Sequence, residues 1–92
     1  MAVGTTNATI TPTWTAISDQ KTVSLHHNGG PDVQIAIGTA APAESQNGAN
    51  FKFHDKPLRF NLAASEFVYM RCGTADKTNL PQIIVLQSGY AL

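Results

Sequence analysis

Thr22-Val23-Ser24-Leu25-His26-His27, the turn Asn28-Gly29-Gly30-Pro31-Asp32, and Val33-Gln34-Ile35-Ala36-Ile37-Gly38 are the stretch that decides the fold class. Both flanks place apolar residues at every second position, the period at which side chains of an extended chain return to the same side. Val23, Leu25 and His27 share one face, and Val33, Ile35 and Ile37 form the next inward face until Gly38 ends the run. The five residues between them supply Asn, Gly and Asp, which tolerate positive φ, and a proline that cannot continue a central strand. The spacing therefore predicts two strands joined by a hairpin-type turn and paired with each other.

Upstream, Ala8 to Ala16 alternates as well, with Ala8, Ile10, Pro12, Trp14 and Ala16 on one side and four threonines on the other. Pro12 cannot donate to a ladder, so this strand is expected to be interrupted there or, preferably, to lie at an edge. Downstream, Thr39 to Asn50 is rich in small residues, carries Pro42 and Asn47, has no apolar period, and reads as the longest loop. Phe51 and Phe53 alternate with Lys52, and Leu58, Phe60 and Leu62 alternate with Arg59 and Asn61, giving two short strands around His54-Asp55-Lys56-Pro57. Ala63 to Glu66 is too short for a stable helix and reads as a turn. Phe67 to Cys72 is apolar on both sides and so central, Gly73 to Asn79 is a polar loop, and Ile83 to Leu86 is expected to be buried on both faces. Seven or eight short strands at intervals of about ten residues describe an all-β chain, a small antiparallel β-sandwich or jelly-roll-like barrel.

The chain has 92 residues, room for one such core, which places a single β domain at 7–92 behind a small-residue arm at 1–6. Its formal net charge is zero and only 13% of its residues are charged, where about a quarter is usual. A balanced, charge-poor surface speaks against nucleic acid and anionic membranes and for contact with protein, including copies of itself. Cys72 is the one cysteine, so no internal disulfide forms and a reducing compartment is the simplest origin. Met1 to Ile10 offers neither a basic start nor an apolar stretch, and no run approaches the roughly 20 apolar residues of a membrane span. A soluble, untargeted protein is expected.

His26, His27, His54, Asp32 and Asp55 are the residue types that ligate metals, but neighbouring histidines on a strand point to opposite faces. They read as polar groups flanking turns, with no metal and no cofactor. Cys72 lacks a nucleophile signature and reads as core. Lys52, Lys56 and Arg59 lie among phenylalanines as in a base-stacking surface, yet the alternation turns those rings inward. With no phosphate loop, nucleophile elbow or carboxylate pair, no catalytic residues emerge and the chain is read as non-enzymatic. Trp14 and Tyr90 are candidate anchors at an interface, together with Pro42 and Asn47 in the long loop and Leu92 in the apolar tail.

One order of features goes further: an early apolar strand into an Asn-Gly turn (Val23 to Gly29), a strand closing on Ile37-Gly38, the small-residue Thr39-Ala40-Ala41-Pro42, then Leu62 to Glu66 and the Val68-Tyr69 strand through Gly73. Over about residues 22 to 86 it resembles small structural proteins of tailed bacteriophages, departing in the Ser45-to-Asp55 segment and the Thr74-to-Asn79 loop. The resemblance implies a virion component made in the host cytoplasm, most of all a capsid decoration or cement protein. Its partners would be the major capsid protein or other virion proteins, and it would act as a homo-oligomer, a trimer among the options. The alternative is a carbohydrate- or receptor-binding module of a tail or head fibre, with Trp14 or Tyr90 stacking on a sugar and Asn47, Asn50 or Asp55 bonding its hydroxyls.

Overall fold

Eight strands form two antiparallel sheets in the computed structural model, which describes residues 4–52, 55–72 and 80–88. They are β1 (Gly4–Thr9), β2 (Thr15–Ser18), β3 (Thr22–His27), β4 (Val33–Gly38), β5 (Ala49–Phe51), β6 (Leu58–Asn61), β7 (Phe67–Cys72) and β8 (Gln82–Ser88). Sheet A runs β1-β8-β3-β6 and sheet B runs β2-β7-β4-β5. β1 pairs with β8, β2 with β7, β3 with β6 and β4 with β5, as if one long ribbon with its tip between β4 and β5 had been rolled so that successive rungs alternate between sheets. The additional pairings β8–β3 and β7–β4 close the roll. This is the strand order of a jelly roll, and no helix occurs among the described residues.

Between the sheets lie Val23, Leu25, Ile83 and Val85 from sheet A and Val33, Ile35, Phe51, Val68, Met70 and Cys72 from sheet B, with Ile10 and Leu62 closing the ends. β7 and β8 are central strands, as their apolar runs predict. β8, however, is buried on one face only: Ile83 and Val85 point inward, while Ile84 is half-buried and Leu86 is 39% exposed on the outside. Ile37 also departs from expectation. It stands at the far end of β4 with 41% of its surface exposed, past the part of the sheet that the opposite layer covers.

The expected β3–β4 hairpin does not form. β3 belongs to sheet A and β4 to sheet B, so Asn28–Asp32 is an arch between layers. Asn28 N–H donates to the Gln82 carbonyl (2.8 Å) and Gln82 N–H to the Gly29 carbonyl (3.0 Å), which prolongs pairing with β8 before the chain leaves the sheet. Gly29 and Gly30 then turn at φ 126° and 97°, and Gly30 passes so close to Pro81 that a Cβ would lie 2.7 Å from the Pro81 Cα. His27 fastens this arch: its Nδ1 accepts the Gly29 N–H (3.2 Å), which leaves Nε2–H to donate to the Pro31 carbonyl (2.9 Å). Its ring meets Phe51 edge-on at 5.6 Å.

The Ala8–Ala16 segment breaks at Pro12 and changes sheets, so both pieces are edge strands, β1 of sheet A and β2 of sheet B. The break separates two residues that simple alternation puts on one side: Ile10 is core, whereas Trp14 is not. Gly4–Thr6, expected within a loose arm, are part of β1 and pair with Gln87, Leu86 and Val85. The rest of that arm, residues 1–3, lies outside the described residues, as do Phe53, His54, the Gly73–Asn79 loop, Tyr90 and Leu92. Ala63–Glu66 is a turn, with Ser65 at φ 65° and the Glu66 carboxylate accepting the Ala63 N–H at 2.7 Å.

Candidate functional site

Two surfaces of the sandwich have opposite characters. On the outside of sheet B, Trp14 stands one residue before β2. The β2–β7 register, continued by that residue, sets it beside Arg71, which is itself paired with Gln34 on β4. The result is a row of three outward side chains crossing three strands. The Arg71 guanidinium lies over the Trp14 ring, 4.6 Å from its centroid, and its Nε donates to Gln34 Oε1 at 3.0 Å. Its two remaining nitrogens donate to the Glu44 and Gln46 carbonyls at 2.8 and 2.9 Å. Gln34 Oε1 also accepts the Gly48 N–H at 3.3 Å.

The long loop is therefore folded back and clamped. A fixed planar fork can hold three separate acceptors and still stack on an indole, a task for which a lysine has the wrong shape. Gly48 is required where the loop passes the row, because a Cβ there would lie 2.5 Å from the Ile35 carbonyl oxygen and 2.8 Å from the Trp14 ring. Trp14 is left 7% exposed, and its Nε1–H has no acceptor among the described residues. The Arg71–Glu44 ion pair adds little: the oxygen is 3.6 Å away and the Glu44 side chain is 74% exposed.

The outside of sheet A is more open among the described residues, with Thr5, Asn7 and Leu86 exposed and Ser24, His26 and Ile84 half-buried. Register puts Ile84 and Leu86 of β8 at its centre, flanked by Thr5 and Asn7 of β1 and by Ser24 and His26 of β3. Thr9 and Gln82 join their side chains at one end (3.2 and 3.0 Å), and Thr22 and Asn61 meet near the other (3.4 Å). Arg59 brings the one formal charge that the described strand residues place on this face. The face is weakly apolar at the centre and mostly polar around it, with Arg59 at one side.

Of the residues singled out from the sequence, Trp14 is buried beneath Arg71, Pro42 is half-buried and Asn47 exposed in the clamped loop, and Tyr90 and Leu92 lie outside the described residues. His26 points outward and His27 inward, as their adjacency requires. Among the described residues no three His, Cys, Asp or Glu side chains gather closely enough to hold a metal ion, and no helix is long and apolar enough to cross a membrane. Cys72 is packed in the core. Lys52 and Arg59 are exposed, while Phe51 is buried and Phe60 packs against the core, so those rings offer no stacking platform.

Sequence reasoning passed over Arg71 and the sheet A face. A lone arginine on a central strand whose alternate positions are Val68, Met70 and Cys72 was the available signal, since a charge placed there needs partners. Searches against protein families, curated protein sequences and solved structures find nothing that matches this chain.

Proposed function

We propose that this chain is a non-enzymatic structural protein of a tailed-phage virion, a capsid decoration or cement protein that docks on the shell through the outer face of sheet A. The observation that carries this reading is the character of that face. A surface with an apolar centre at Ile84 and Leu86 and a polar surround in which Arg59 is the one formal charge among the described strand residues has the anatomy of a protein–protein contact. Covering it costs less than covering a charged face, provided that its hydroxyls and amides find hydrogen-bond partners in the contact.

The fold does not choose among functions, since capsid, lectin and cupin domains all use jelly rolls. The residues discriminate better. The space between the sheets is filled mainly by aliphatic and aromatic side chains, with Ser18, Gln20, His27 and Gln87 as the buried polar side chains among the described residues, where a cupin-like enzyme would need an open, polar interior. A sugar-binding module would need an accessible aromatic platform; of the two rings proposed for it, Trp14 is covered by Arg71 and the Gly48 segment and Tyr90 lies outside the described residues. The virion assignment itself comes from the resemblance over residues 22 to 86.

The test is co-sedimentation of the purified chain with empty shells assembled from the major capsid protein encoded in the same genome. Saturable binding that is lost in Leu86→Lys, with the variant's thermal unfolding unchanged, is the expected result. No binding to such shells, or binding indifferent to Leu86, would overturn the reading.

A further inference from the structure

We infer that the open edge of β1 pairs with β1 of a second copy, antiparallel about a twofold axis through Asn7, joining two sheets A into one continuous eight-stranded sheet. The inference deepens the assembly reading and rests on it for the expectation that the chain works as an oligomer.

Hydrogen-bond phase fixes which groups the edge presents. Ile10 N–H donates to the Pro81 carbonyl (3.0 Å) at the register that continues β1–β8. In an antiparallel ladder the bonded positions alternate, so Gly4, Thr6 and Ala8 turn their backbone groups toward β8. Thr5, Asn7 and Thr9 turn theirs away, toward no strand among the described residues. The β3–β8 ladder has the matching phase, since Asn28 bonds to Gln82 and the odd-numbered residues of β8 are left to β1.

The other edges are guarded. β2 is short and bulged between Ala16 and Ser18, β5 has three residues, and β6 carries Arg59 and follows Lys56-Pro57. β1 has six residues with no charge, no proline and an unbroken register. Such an edge is a template for another strand.

A second β1 is the occupant that this sequence fits. With Asn7 opposite Asn7 of the copy, Thr5 faces Thr9 and Thr9 faces Thr5, and each of these three pairs exchanges two backbone hydrogen bonds. Thr–Thr pairs across a ladder are favourable, and no like charges meet. Between them Thr6 meets Ala8, both small enough to pass. The symmetry is isologous, so the unit is a dimer, where the sequence alone had left a trimer open.

The test combines light scattering with amide hydrogen exchange on the full chain. The expected mass is twice that of the 9.8 kDa chain, with the Thr5, Asn7 and Thr9 amides protected in step with dimerisation. Asn7→Pro removes only an outward N–H, spares the bonds to β8, and should halve the mass. Asn7→Lys, which keeps the backbone donor, should weaken association about tenfold or more by setting like charges opposite each other. Native Trp14 fluorescence in each variant shows that the fold survives. An oligomer indifferent to both variants, or one with those three amides unprotected, overturns the edge pairing and leaves the assembly reading standing. A chain that stays monomeric at millimolar concentration overturns it too, and shell co-sedimentation of that monomer then decides the assembly reading separately.

Discussion

Replacing Arg71 by alanine should release the loop from sheet B and uncover the single tryptophan. The side chain gives three charge-assisted hydrogen bonds, to Gln34 Oε1 and to the Glu44 and Gln46 carbonyls, and a stack on Trp14. Its side chain is 12% exposed, so the bonds are largely shielded. The two loop carbonyls can turn to water once freed, and Gln34 keeps its bond from Gly48, so each lost bond is worth about 1 kcal/mol, the value of an ordinary hydrogen bond and below the range for charged groups. The cation–π contact adds about 0.5–1 kcal/mol. Freed loop residues regain backbone entropy, roughly 1 kcal/mol for each residue that truly disorders, which offsets part of the loss. The expected net destabilisation is about 2 kcal/mol, a fall of roughly 2 M in the urea midpoint at an m-value near 1 kcal/mol/M. Trp14 emission reports both effects, with a red shift and easier acrylamide quenching of the native protein. Arg71→Lys should recover less than half of the loss, because one ammonium cannot serve three acceptors and cover the ring. A loss under about 0.5 kcal/mol together with unchanged native emission would refute the clamp.

The remaining predictions concern the same clamp and the arch. Glu44→Ala should change stability by no more than about 0.5 kcal/mol in urea melts, because Arg71 holds the backbone of Glu44 and its carboxylate is exposed. Gly29→Ala should cost about 1–2 kcal/mol from φ strain alone, its Cβ meeting nothing within 4 Å. Gly30→Ala should cost at least about 1 kcal/mol more in the same denaturation assay, since its Cβ must also displace the Pro81 backbone. His27→Phe keeps the ring against Phe51 but leaves the Gly29 N–H and Pro31 carbonyl unpaired, and should lower stability by about 1–3 kcal/mol with faster exchange of the Gly29 amide.

Period-two patterning made the elements legible, and partner choice was what it could not supply. Val23, Leu25 and His27, then Val33 and Ile35, are buried as their alternation predicts, because face selection is local. Asn28–Asp32 reads equally well as a hairpin or an arch. Gly-Gly at positive φ serves both, and the choice was made by β8, more than fifty positions downstream, taking the place beside β3. Trp14 was set on the same side as Ile10 by counting through Pro12, where the chain in fact changes sheets. Leu86 was expected to be buried because its run is apolar on both sides, but even a central strand in a two-layer sandwich has one outer face. The Arg71 clamp was hidden for a related reason: its hydrogen-bond partners are 25, 27 and 37 residues away. No local motif marks contacts of that span.

The most direct test of the central claim is the abundance of this chain relative to the major capsid protein in purified virions of the encoding phage, measured by quantitative mass spectrometry. The account predicts a constant ratio across preparations, set by the symmetry of the shell. Absence from washed particles, or a ratio that drifts with purification, would contradict it.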